Sequence, residues 1–189
     1  MVFGNGLFMV FQNDLITISR IIESGGVVAL PTEGVWGLSC HVDNLFAIQR
    51  LLDVKKRDLK KGLITLVIDF AHLKSWFARP VLDLAQNESG RPSTWVIPVN
   101  DDCPKILTGG GKSVAVRRVK MPYLVQLIRI TGPLVSTSAN RSGRTACISR
   151  WQVMNQLAGL VDHVAKGQTQ GYRKPSTIRD MQTGTIIRD

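Results

Sequence analysis

Acidic residues are scarce in this chain: 14 Asp and Glu stand against 24 Lys and Arg in 189 residues, a formal charge of +10. That deficit argues for anionic partners, nucleotides or RNA, and against cationic ones. Cysteine is scarce as well. Cys40, Cys103 and Cys147 are an odd number with no CxxC pair, which speaks against a disulfide framework or a zinc site and fits a reducing cytoplasm. No histidine is spaced to join His72, so that residue reads as surface or core and not as a ligand. No apolar run approaches the ~18 residues of a spanning helix, and Met1–Phe11 lacks a positive n-region, so neither a membrane partner nor a secretory signal is expected. A Ser-His-Asp set for nucleophilic catalysis is missing. Gly109-Gly110-Gly111-Lys112-Ser113 is not a phosphate-binding P-loop: Ile106 stands where the first glycine belongs, and a β-branched strand pattern follows instead of a helix. Internal repeats and low-complexity tracts are absent.

What is present describes one domain over residues 1–189, with 44% hydrophobic residues and 20% charged. Residues 1–11 read as an N-terminal extension or leading strand. Asn13 or Asp14 can cap a helix that puts Leu15, Ile18, Ile21 and Ile22 on one face and stops at Gly25-Gly26. Strand Val27–Leu30 follows, then a loop, PTEGVWGLSC, whose glycines let backbone approach a ligand. Trp36 in that loop reads as core packing. Asp43 or Asn44 caps a helix with Leu45, Ile48, Leu51 and Leu52 buried, and it ends in a run of cations, Lys55, Lys56, Arg57, Lys60 and Lys61. The helix dipole alone favours cations there, but five in seven residues exceed that need. Strands are expected over 63–68, 94–99, 113–119, 161–165 and 185–188, and helices over 70–77, 80–85, 121–130 and 151–160. The glycines at 109–111 read as a flexible loop over a cleft. Alternating strands and helices indicate α/β, with short late strands making the sheet mixed.

The densest signal is PLVSTSANRSG, Pro133–Gly143: a short apolar strand running into hydroxyls and amides. Such side chains favour turns, and strand ends in α/β sheets are where ligands bind. STSAN-x-SG, PTEGVWGL upstream, the Lys-x-Arg of Lys55–Arg57, Val-Ala-Val-Arg at 114–117 and PSTI at 175–178 together resemble the YrdC/TsaC family from about Leu15 to Arg188. One departure is Arg91, where the family's Pro-Gly-Pro-x-Thr has a glycine.

The resemblance implies a single-domain, YrdC-like α/β fold: a twisted mixed sheet with flanking helices around a basic concave cleft. It implies a nucleotidyltransferase that makes threonylcarbamoyl-AMP and pyrophosphate from L-threonine, bicarbonate and ATP, for tRNA threonylcarbamoyladenosine modification. Lys55 and Arg57 would grip phosphates as the catalytic cations, with Lys61 close by. Ser138 and Asn140 would hold the nucleotide and Arg188 would close over it. Arg117 would pair with the threonine carboxylate, while Thr32, Ser136 and Ser176 seat the amino acid. Mg²⁺ is expected with ATP, held by phosphates and water with no protein metal site; Glu33 is a carboxylate that could assist it. Proteins that transfer the threonylcarbamoyl group downstream are implied partners. The rival reading is a non-catalytic RNA-binding module using the same basic cleft, although RNP-type aromatic strands and a GxxG clamp are missing.

Overall fold

A computed structural model describes residues 5–81 and 91–189, with side chains from Asn13 onward in those spans. The first helix, α1 (Asn5–Glu23), has Leu15, Ile18 and Ile22 buried in the core. Residues 5–11, expected as an extension or strand, are helical because neither Pro nor Gly interrupts the chain between Leu7 and Ser24. For the same reason Asn13 and Asp14 lie inside the helix and do not cap it. Asp14 is buried, accepting hydrogen bonds from the Lys166 amide at 2.7 Å and pairing with His163 Nε2 at 2.9 Å. Gly25 and Gly26 end the helix as expected, their amides bonding back to Ile22 and Ile21.

Strand β1 (Val28–Pro31) is followed by β2 (Trp36–His41), an antiparallel partner. The second half of the PTEGVWGLSC stretch is thus a strand, not a loop. Helix α2 (Leu45–Lys55) is capped by Asn44, whose side chain accepts from the Ala47 amide, and it buries Ala47, Ile48, Leu51 and Leu52. Next come β3 (Ile64–Val67) and a 3₁₀ segment over Phe70–Trp76, where an α-helix was expected. Most of the helix expected over 80–85 lies outside the described residues. The rest of the chain adds β4 (Ser93–Pro98), α3 (Lys105–Thr108), β5 (Ser113–Arg118), α4 (Pro122–Thr131), β6 (Leu134–Ser138), α5 (Arg150–Leu157), β7 (His163–Val164), β8 (Thr177–Asp180) and β9 (Ile186–Arg188).

The strands form one sheet in the order β7-β1-β2-β6-β3-β5-β4-β8-β9. It is mixed, as expected: β7–β1, β3–β5 and β4–β8 are parallel and the other neighbours antiparallel. Helix α1 packs on α4, and α2 on β2. Of the glycines expected as a loop over a cleft, Gly110 and Gly111 are exposed, and Gly109 is a packed corner. Gly109 ends α3 in the left-handed conformation, φ 65°, and a Cβ there would come within 2.7 Å of the Gly62 amide nitrogen and the Lys60 carbonyl. Among the described residues, no helix is long and apolar enough to cross a membrane.

Candidate active site

Side chains along a strand alternate faces, and one face of four adjacent strands builds a cleft. Gly37 of β2, Ser136 and Ser138 of β6, Ile64 and Leu66 of β3, and Arg117 of β5 line it. Their register is fixed by pairing: Gly37 lies opposite Ser138, Ile64 opposite Ser136, and Leu66 opposite Arg117. Gly37 is required here, since a Cβ would sit 2.7 Å from Ser136 Oγ. Thr32, Val35 and Trp36 close one wall, Pro175, Ser176 and Arg188 another, and Arg57 enters from the end of α2. The enclosed part of the cleft measures about 90 Å³ and opens to solvent at its mouth.

Seven of the ten expected site residues therefore meet at one place: Thr32, Arg57, Arg117, Ser136, Ser138, Ser176 and Arg188. Lys55 and Asn140 stand behind the wall. Lys56 adopts a left-handed conformation, φ 51°, at the end of α2, turning Lys55 inward and Arg57 toward the cleft. Lys55 Nζ, buried, donates to the Ser138 carbonyl, to Ser138 Oγ at 3.0 Å and to Asn140 Oδ1 at 2.6 Å. Three acceptors call for the three donors of an ammonium. Burial, and then the charge of Arg57, pull the Lys55 pKa down to about 8. Asn140 spends its amide on the Arg141 and Arg144 carbonyls, so it holds the 140–144 turn. The Ser142 amide ties that turn to the Lys55 carbonyl at 3.1 Å. Lys61 is exposed and outside the cleft lining; its carbonyl, with that of Gly62, accepts from Arg57 Nη2 at 3.3 and 3.0 Å.

The electrostatics are lopsided. Among the described residues, three arginines line the cleft and no carboxylate does. Burial, and then the charge of Arg188, hold the Arg57 guanidinium below its ordinary pKa, and burial does the same to Arg188. Arg57 Nε is buried without a hydrogen-bond partner. Two like-charged guanidiniums, Arg57 half-buried and Arg188 largely exposed, are stabilised by an anion placed between them. Arg117 is different. Its Nη2 donates to Glu33 Oε2 at 2.8 Å in a buried ion pair, and Glu33 Oε1 accepts from the Lys120 amide at 3.2 Å. Glu33 is thus engaged in orienting Arg117 and not directed at a metal ion. Among the described residues no group of His, Cys, Asp and Glu gathers into a metal site.

Hydroxyls complete the site. Thr32 Oγ1 donates to the Val35 carbonyl at 2.6 Å, and Ser176 Oγ pairs with Thr94 Oγ1 at 2.6 Å. Sequence reasoning missed Thr94, whose signal was its place at the start of a strand within the family's Pro-Gly-Pro-x-Thr pattern. Gly34, expected to let backbone approach a ligand, lets the 32–35 loop touch the chain before Pro175: a Cβ there would lie 2.0 Å from the Lys174 carbonyl oxygen. Trp36 is fully buried, as expected, and forms part of the cleft wall. The three cysteines are buried free thiols whose pKa values burial raises.

A mixed sheet whose one face gathers arginines and hydroxyls, with no nucleophile–base pair, defines a protein built to hold and orient small anions. The profile of the Sua5_yciO_yrdC family, described as "Telomere recombination", matches residues 20–189, and the chain belongs to that family. It is 40% identical over 174 residues to a threonylcarbamoyl-AMP synthase of Stutzerimonas stutzeri, covering 90% of this chain and 94% of that protein. A threonylcarbamoyl-AMP synthase of Pseudomonas paraeruginosa is 41% identical over 178 residues, with the same coverage. Among solved structures, P. abyssi Sua5 complexed with L-threonine superposes with a TM-score of 0.81 at 27% identity, over 93% of this chain. This chain spans 53% of that longer protein.

Proposed function

We propose that the chain is a threonylcarbamoyl-AMP synthase, a nucleotidyltransferase acting on ATP, L-threonine and bicarbonate. The observation that carries this is the facing pair Arg57 and Arg188 in a carboxylate-free cleft beside the hydroxyls of β6. Relatives of about 40% identity bear that name over 94% of their length.

The reaction joins threonine's amine to bicarbonate as a carbamate, whose oxygen attacks the α-phosphorus of ATP as pyrophosphate leaves. The protein's part is positional and electrostatic. Arg57 and Arg188 hold the phosphates and stabilise charge arriving on pyrophosphate. Lys55 keeps Ser138 in place from behind the wall and adds its own charge. Arg117, oriented by Glu33, provides the positive charge for the threonine carboxylate. Thr32, Ser136 and Ser176 offer hydroxyls to the amino acid. Mg²⁺ enters with ATP, carried by phosphates and water, and supplies further charge neutralisation; the donor set of the cleft offers it no protein cage. The charge of +10 supports contact with tRNA, and the buried reduced thiols support a cytoplasmic setting. The product, a mixed anhydride, calls for proteins that accept the threonylcarbamoyl group.

The test is pyrophosphate release from Mg·ATP with threonine and bicarbonate supplied together and singly. Release is expected only when both are present, with threonylcarbamoyl-AMP found by mass spectrometry. Release without threonine would overturn the assignment.

A further inference from the structure

Arg188 sits on a short edge strand of the sheet. β9 is three residues long, lies at the sheet edge, is exposed throughout, and pairs only with β8, across an irregular register at Ile178–Arg179. Two ladder pairs, Ile178 with Arg188 and Arg179 with Ile186, hold it. The Arg188 guanidinium has one hydrogen bond into the protein, from Nη2 to the Ser176 carbonyl at 3.2 Å. It also faces the like charge of Arg57. That single bond is a slender restraint for a side chain facing a like charge.

The restraint is at the next residue. Asp189 Oδ1 accepts from Arg91 Nη1 at 2.8 Å and from Thr177 Oγ1 at 3.1 Å. Arg91 comes from the segment leading into β4, and Thr177 from the start of β8, whose amide bonds to the Pro92 carbonyl at 3.1 Å. The two donors thus fasten the residue after β9 to β8 and to the segment leading into β4. Arg91 does not make this contact as a solvated surface arginine would. Its side chain is one-third exposed, and its Nη2 is buried without a hydrogen bond, a desolvation accepted in order to reach Asp189.

We propose that Arg91 is a positioning residue for the nucleotide site, acting through Asp189 to keep Arg188 over the cleft before ATP arrives. This rests on the assignment of Arg188 to the nucleotide. Holding a binding group in its bound place removes part of the ordering cost from binding. An exposed ion pair is weak, so the effect is modest and confined to the group it places.

The experiment is a set of variants of the full chain, titrated with Mg·ATP by calorimetry and assayed for pyrophosphate release with threonine varied. Arg91→Ala and Asp189→Ala are each expected to weaken ATP binding by about two- to five-fold, leaving the KM for threonine unchanged. The double variant should be no worse than either single one, and Arg91→Lys should recover part of the loss. In an Arg188→Ala background, Arg91→Ala should have no further effect. A loss that persists undiminished beside Arg188→Ala would overturn the clamp alone, as would unchanged ATP binding in Arg91→Ala, or a defect confined to threonine, which would place Arg91 with Glu33 and Arg117. Unchanged ATP binding in Arg188→Ala would overturn the proposal at its base, by removing Arg188 from the nucleotide site.

Discussion

Lys55 ties two opposite pH responses to one proton. Its pKa in the folded protein is about 8, against an ordinary 10.5, so between those values the unfolded chain binds the proton and the folded one has released it. Stability from this group therefore rises with pH over that window. Phosphates near the ammonium favour its charged form, so ATP affinity must fall as pH rises through about 8. Calorimetry from pH 7.5 to 9.5 would check this, and a flat affinity profile would exclude Lys55 from the phosphate field. Asn140 and Arg57 separate fold from binding. Asn140→Ala strands Lys55 and two backbone carbonyls, so it should cost about 1–3 kcal/mol of stability. Arg57→Ala removes a cation whose Nε is unpartnered, so it should weaken ATP binding with little change in melting temperature. Thermal melts and ATP titrations of the two variants would show the contrast, and reversed phenotypes would refute it.

At the scale of elements, β2 shows where sequence patterning stops being informative. Trp36-Gly37-Leu38-Ser39-Cys40 has small and polar residues where a buried strand usually carries β-branched ones, because Gly37 must leave room for Ser136. Helices α2 and α4 and strands β3, β5 and β6 were legible, since apolar spacing and flanking breakers coincide there. Motif residues identified the cleft, but not the order of its layers. Nothing local says that Lys55 and Asn140 lie behind Ser138, or that Glu33 occupies part of Arg117, because these contacts join positions more than 80 residues apart. Gly34→Ala tests the junction of two such segments. With backbone 2.0 Å from the new Cβ, the 32–35 loop and the chain at 174–176 must separate. A loss of roughly 2 kcal/mol or more in chemical denaturation is expected, and a neutral result would mean the loops are not in register.

The whole molecule carries its excess charge on a scaffold that must be stable before any ligand arrives, and a ligand of the native state adds to that stability. At a hundred times its Kd, Mg·ATP should contribute about 2.7 kcal/mol, or roughly 5–10 °C in melting temperature for a chain of this size. A protein that binds only RNA through its basic surface would show no such shift, so a melting curve with and without Mg·ATP separates the two readings.

The order of strands in the sheet has a consequence for how the protein is made. Strands β2 and β6 are neighbours although about 100 residues separate them, and Arg188 comes from β9, which joins the sheet only through β8 and β4. Pairings between distant parts of a chain form slowly, because loop entropy is lost before contact energy is gained. A phosphate grip built from Arg57 and Arg188, as proposed, would therefore form only once these distant segments have docked. Nucleotide binding would then report that the sheet is complete from β2 to β9, and a partly built sheet would not compete for ATP.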